Sequence, residues 1–333
     1  MGNCNKGLSG LTIGLDLGDK HTVGCVLSRD GDVLESFRMA TTPRAVERTL
    51  RGFEPSRVVL EVGTHSPWLS RLVAKAGHEL IVANPRRVRL IAEHDSKTDE
   101  VDAERLARVD PELLKPIVHR GESAQRDRIL LHARDGLVRS RTQLINSVRG
   151  FAKSLGHRMP SCSTEAFPRR ARECFGEEVF PGQSAMLEVI ERLSEEIAAM
   201  DREAERLCKE RYPETGVMRQ VKGVGALTSL AFVLTVEDPG RFPKSRSVGA
   251  YVGLRPRTRQ SGDQTPQLRI TKAGDALLRR YLVTAAQYIL GPFGPDTELR
   301  RFGLKLAERG GKAAKKRAVV AVARKLTVLL HRL

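Results

Sequence analysis

Leu11, Ile13 and Leu15 alternate with small or polar residues, the period of a half-buried β-strand. A second strand is predicted over about 22–28 and a third near 32–39, with Asp30-Gly31 as a strong hairpin-turn signal. Thr42-Pro43 opens a short helix to about Phe53. The compact apolar run Val58-Val59-Leu60-Glu61-Val62 predicts a buried parallel strand. Pro67 opens a helix to about Ala76, stopped by Gly77, and Leu80-Ile81-Val82-Ala83 is another buried strand. Further helices are expected from Pro85 and over about 99–109, and Pro111 and Pro116 close the unit. Three meandering strands followed by alternating helix and strand is the order of an α/β RNase H-like (RuvC-like) domain.

The pattern changes beyond residue 120. Residues 123–157 are helical and Arg-rich, and 158–182, with Pro160, Pro168 and Pro181, look like a connection. Over 184–211, Ile190, Leu193, Ile197, Met200, Ala204 and Leu207 step by three and four, a heptad seam. An antiparallel hairpin, a dimerising coiled coil and a plain amphipathic helix all fit that seam. Val217 to Ala226 has the shape of a helix-hairpin-helix, with Lys222, Gly223 and Gly225 at a turn whose backbone N–H groups can meet a DNA phosphate. A ligand-free helical turn is the plainer reading. The expected division is therefore 9–120, a helical coiled-coil segment 121–212, and a mostly α domain 213–333.

Charge sharpens this picture. Residues 1–120 carry 18 basic and 17 acidic side chains and 121–240 carry 18 of each, whereas 241–333 carry 21 and 5. Nearly all of the net charge of +17 thus sits in the last 93 residues, which suits a nucleic-acid partner better than an anionic membrane or plain solvent. Lys312, Lys315, Lys316, Arg317, Arg324 and Lys325 interleave with Val319, Val320, Val322, Leu326, Val328 and Leu329, an amphipathic cationic helix. Aromatic residues are only 5% of the chain, so phosphate contact rather than base stacking should dominate. No apolar run is long enough to span a membrane. The five cysteines are scattered without a CxxC pair, which argues against a zinc site or a disulfide framework and for a cytoplasmic location.

Four carboxylates stand where such a sheet would gather them. Asp16 ends the first strand, Glu61 ends the fourth, and Asp99 and Asp102 share one face of the helix that should cross them. Each alone is ordinary, as a turn former or a solvated acid. Four converging carboxylates repel unless a cation holds them, and oxygen-only donors favour Mg²⁺ or Mn²⁺. A pair of such ions stabilises the attacking and leaving oxygens of a phosphodiester exchange.

At these residues the chain resembles the insertion-sequence transposases with a DEDD RuvC-like domain, including the Piv/MooV DNA invertases. The matching stretches are Gly14-Leu15-Asp16, Leu60-Glu61, Lys97-Thr98-Asp99 through Asp102-Ala103, Gly223-Val224-Gly225, Arg241-Phe242, and Ala250 through Pro256. They continue with Gln260-Ser261-Gly262 and Arg269 through Asp275, followed by Leu277-Leu278-Arg279. Ala273 departs from the Arg or polar residue expected there. The resemblance implies DNA recombination by the four carboxylates and a serine that forms a covalent phosphoserine link. It also implies a structured guide RNA pairing with donor and target DNA, and assembly as homodimers or homotetramers.

Ser261 is the chosen serine, flanked by Arg255, Arg257 and Arg259 before it and Arg269 and Lys272 after it, a set suited to holding phosphate. An ordinary Ser-Gly turn is the plainer reading, and Ser245 and Ser247 compete. Three other functions remain in view: a RuvC-like junction nuclease without serine chemistry, a non-catalytic nucleic-acid scaffold, and an actin-like ATPase or sugar kinase. The last is suggested by Ile13 to Gly18, but a second phosphate loop and an adenosine motif are missing from the sequence.

Overall fold

Strands β1 (Thr12–Leu17), β2 (His21–Leu27), β3 (Val33–Ala40), β4 (Arg57–Glu61) and β5 (Glu79–Ala83) form one mixed sheet in the order β3-β2-β1-β4-β5. The protein is seen here as a computed structural model describing residues 9–84, 98–114, 116–176, 181–260, 266 and 268–333. It comprises two compact units, residues 1–120 and 121–333. The helix expected from Pro85 lies outside the described residues.

In the first unit β1, β2 and β3 pair antiparallel, and β1, β4 and β5 pair parallel. Alternation assigns the two faces of the sheet. Ile13, Leu15, Val58 and Leu60 pack with Val46 and Leu50 of α1 (Pro43–Leu50) and with Leu69 and Val73 of α2 (Ser66–Lys75). On the other face, Val23, Cys25 and Leu27 meet Ala103 and Ala107 of α3 (Asp99–Arg108), and Val59 and Ile81 meet Leu106. A one-turn helix, Pro111–Leu114, follows.

The second unit opens with α4 (Glu122–Ser154), α5 (Phe167–Phe175) and α6 (Pro181–Glu210). Helices α4 and α6 run antiparallel, because bonds join Asp127 to Arg211, Arg134 to Asp201 and Arg141 to Ser194. The seam is therefore used inside the chain: Ile190, Ile197, Ala204 and Leu207 are buried. Helix α5 corrects the expectation of a bare connection over 158–182. Phe167, Ala171 and Phe175, four residues apart, form its buried face, and Pro168 sits in the first turn, where a missing N–H costs nothing.

Then follow a one-turn helix, Thr215–Met218, and α7 (Ala226–Val236), α8 (Arg246–Tyr251), α9 (Ala276–Leu290), α10 (Glu298–Ala307) and α11 (Gly311–Arg332). One core joins them to the hairpin, with Leu131 and Leu207 packed in the same cluster as Leu230, Leu282, Val322 and Leu326. Among the described residues no helix is long and apolar enough to cross a membrane.

Candidate carboxylate site and nucleic-acid interface

Gly14 sets the geometry of the carboxylate site. A β-carbon there would lie 2.0 Å from the Ala103 carbonyl oxygen and 2.7 Å from the Ala107 nitrogen, so α3 crosses directly over β1 and only glycine fits. Asp16 lies two residues along β1 and so faces the same side. The parallel register pairs Leu15 with Leu60, which places Glu61 beside Asp16 at the carboxyl ends of neighbouring strands. Asp102 immediately precedes Ala103, and Asp99 stands at the start of the same helix.

The first turn of α3 holds Asp99, Glu100 and Asp102 beneath the Thr98 cap, whose hydroxyl accepts from the Val101 nitrogen at 3.3 Å. Acids there are favoured by the helix dipole. Asp102 is half-buried, and its carboxylate lies 3.6 Å from the Arg105 guanidinium. Among the described residues no group of three or more His, Cys, Asp or Glu side chains stands close enough to hold a metal ion. The donor set itself, all carboxylate oxygen, fits a hard divalent cation.

Ser261 lies outside the described residues, and the segments before and after it pair with each other. Pro256 bridges Ile270, the Arg257 nitrogen donates to the Arg269 carbonyl at 2.9 Å, and the Thr271 nitrogen donates to the Arg255 carbonyl at 2.9 Å. This short antiparallel ribbon exposes Arg255, Arg257, Arg259, Arg269 and Lys272. Below it Gly253 and Gly274 pass so closely that side chains there would strike the Ala273 and Tyr251 carbonyls. The Arg279 guanidinium donates to the Val252 and Ala273 carbonyls, both at 2.9 Å, and ties the two arms together.

Lys222 is exposed in the predicted hairpin turn, Gly223 has φ +93°, and Gly225 is the N-cap of α7 without a side-chain cap bond. Lys315, Lys316 and Arg317 are exposed on α11. That helix is more than a cationic surface, however. Ala314, Ala318, Val322, Ala323, Leu326 and Leu330 are buried, and most of them join the core of the second unit, so α11 is a structural member of it.

Sequence reasoning missed three partners. Arg128 pairs with Asp275 just past the ribbon's second arm, Arg279 ties the two arms together, and His331 meets Ser245. His331 Nε2 faces the Pro239 carbonyl at 3.1 Å and Nδ1 faces the Ser245 hydroxyl at 3.1 Å. Ser245 thus has an imidazole nitrogen within hydrogen-bond distance. No local signal links a serine to a histidine 86 residues away.

Comparison with known proteins supplies the family. Residues 13–156 match a DEDD transposase model of the IS110 type, and residues 216–298 match the transposase IS116/IS110/IS902 family. The chain is 31% identical over 239 residues to the transposase for insertion sequence element IS1111A of Coxiella burnetii, covering 69% of this chain and 64% of that protein. It is 26% identical over 283 residues to the transposase for insertion sequence element IS1328 of Yersinia enterocolitica, covering 83% and 82%. The match thus spans under two thirds of the Coxiella protein's length. With both domain models matched in order along one sequence, the chain belongs to the IS110/IS116 family of DEDD insertion-sequence transposases.

Proposed function

We propose that the chain is a DNA transposase that cuts and rejoins strands with an RNase H-like carboxylate site and a serine nucleophile. The observation that carries this reading is the crossing of α3 over β1 at Gly14. It puts the acid-rich first turn of α3 on the sheet face that holds Asp16 and Glu61. Asp16, Glu61, Asp99 and Asp102 would hold Mg²⁺ or Mn²⁺, which supplies Lewis-acid stabilisation of phosphodiester oxygens when bound.

In this reading the Ser261 oxygen bonds to phosphorus as the bond to one deoxyribose oxygen breaks, and the proton that the serine hydroxyl gives up is returned, through solvent, to the departing oxygen. Attack by a second DNA end on the phosphoserine reverses the step and restores the serine. Arg255, Arg257, Arg259, Arg269 and Lys272 offset the phosphate charge, while Lys222, Gly223, Gly225, Lys315, Lys316 and Arg317 hold DNA backbone. Donor and target DNA are the substrates, a structured guide RNA chooses them, and the working form is a homodimer or homotetramer.

The test is incubation of the full chain, purified with its co-purifying RNA, with end-labelled DNA and Mg²⁺. A protein–DNA adduct that survives denaturation is expected. Free cleaved ends without an adduct place the chain with metal-dependent junction nucleases. Binding without cleavage makes it a scaffold.

A further inference from the structure

Phe293 stands in Gly291-Pro292-Phe293-Gly294-Pro295 at the end of α9 with 82% of its surface exposed. A large apolar ring in water contributes nothing to folding, since burial is the source of its stabilisation. The loop that presents it is nonetheless fixed. Arg300, on the first turn of α10, donates to the Ile289 carbonyl at 2.7 Å and to the Gly291 carbonyl at 2.5 Å. Two prolines restrict the backbone on either side of the ring. The protein thus holds an aromatic face outward on a braced support.

Its surroundings indicate the partner. Tyr288, five residues earlier, is 47% exposed. Its ring lies against the hairpin turn, where a β-carbon on Gly223 would come within 3.1 Å of it, so exposed Lys222 adjoins an exposed aromatic. The acidic neighbour Asp296 is compensated by Arg301 at 3.5 Å. The segment from residue 241 onward carries 21 basic and 5 acidic side chains. Aromatic faces beside cations suit a polyanion with flat apolar bases.

We propose that Phe293, with Tyr288, is a stacking platform for unpaired bases of DNA, while Lys222 meets the adjoining phosphate. This rests on the transposase reading, in which strand exchange requires DNA bases to leave their duplex. The stack is local, so overall affinity stays governed by phosphate contacts.

Binding of the full chain to fluorescein-labelled 20-mers, single-stranded DNA, duplex DNA and single-stranded RNA of one sequence, tests this over a series of salt concentrations. Phe293→Ala should weaken binding of single-stranded DNA by about tenfold and of duplex by less than about twofold. The slope of affinity against salt should be unchanged, because every cation that meets a phosphate is still present. Phe293→Trp should restore affinity, and its emission should be quenched by the DNA relative to a parent in which Trp68 alone emits. Unchanged single-strand affinity, an equal loss on duplex, or a loss confined to RNA overturns the platform and leaves the transposase reading standing. A parent protein that binds none of the three DNA or RNA probes overturns both.

Discussion

Arg128 of α4 donates to Asp275, the N-cap of α9, at 2.5 Å, with 11% and 9% of the two side chains exposed. The same guanidinium donates to the Thr235 hydroxyl at 2.7 Å, and Asp275 also accepts from the Leu278 nitrogen at 2.7 Å. One buried pair therefore fixes the helical hairpin to the residue that directly follows the arm of the basic ribbon. Arg128→Ala leaves a buried carboxylate without this cation and should cost about 3–5 kcal/mol in chemical denaturation. Arg192→Ala is the control. Its partners Glu195 and Glu196 are exposed, so the loss should be under about 1 kcal/mol.

Gly14→Ala places a methyl group against the Ala103 carbonyl, which is backbone and cannot rotate away. The crossing must open, at a cost of roughly 1–3 kcal/mol. Because α3 carries Asp99 and Asp102, adduct formation should fall further than the stability loss alone explains. Denaturation and adduct assays on the same preparation separate the two effects, and full activity in a destabilised protein would count against the site.

Asp16→Asn, Glu61→Gln and Asp102→Asn should each abolish the DNA adduct while leaving thermal unfolding close to that of the parent. Asp99→Ala also removes a favourable charge from a helix start and should lose about 0.3–1 kcal/mol. An Asp102→Asn protein that recombines DNA fully would remove Asp102 from the chemistry.

Truncating α11 is a poor probe of its charge, because Val322 and Leu326 are fully buried in the core. Point substitutions are cleaner. Replacing the exposed Lys315, Lys316 and Arg317 by Ala should weaken DNA binding and reduce the salt slope by about 0.9 for each phosphate no longer neutralised, up to roughly 3 in all. Titration at several salt concentrations checks it, and an unchanged slope places the DNA on another surface.

Ser261→Ala should bind DNA as the parent does and form no adduct, since only the hydroxyl is removed. Ser245→Ala discriminates. The His331 partner makes Ser245 the best-supported alternative nucleophile, and loss of the adduct in this variant alone would reassign the chemistry to it.

Much of the sheet was legible because its signals are local. The alternation of Leu11, Ile13 and Leu15, the Asp30-Gly31 turn and the buried run 58–62 each report on a few neighbouring residues. Asp16, Glu61 and Asp102 could be marked because strand ends and helix faces follow from the same periods. What stayed hidden depends on distant partners. Arg128 and Asp275 are 147 positions apart, and nothing near either one announces the other. The prolines around residue 168 concealed α5, because proline opens a helix as readily as it interrupts a chain. In α11 the lysines and arginines drew the reading outward, although small residues such as Ala314 and Ala318 let the helix pack inward.

The shared core of the second unit also sets an order of events during synthesis. The main core of the sheet unit is drawn from residues 11–117, so a nascent chain can close it early. The second core joins Ala124 and Leu131 to Leu326 and Leu330, a span of some 200 positions. Helix α4 must therefore wait, with part of its apolar face uncovered, until α11 has left the ribosome. A chain that stops ahead of α11 thus carries a closed sheet core and an unfinished second core, with the apolar face of α4 left in water.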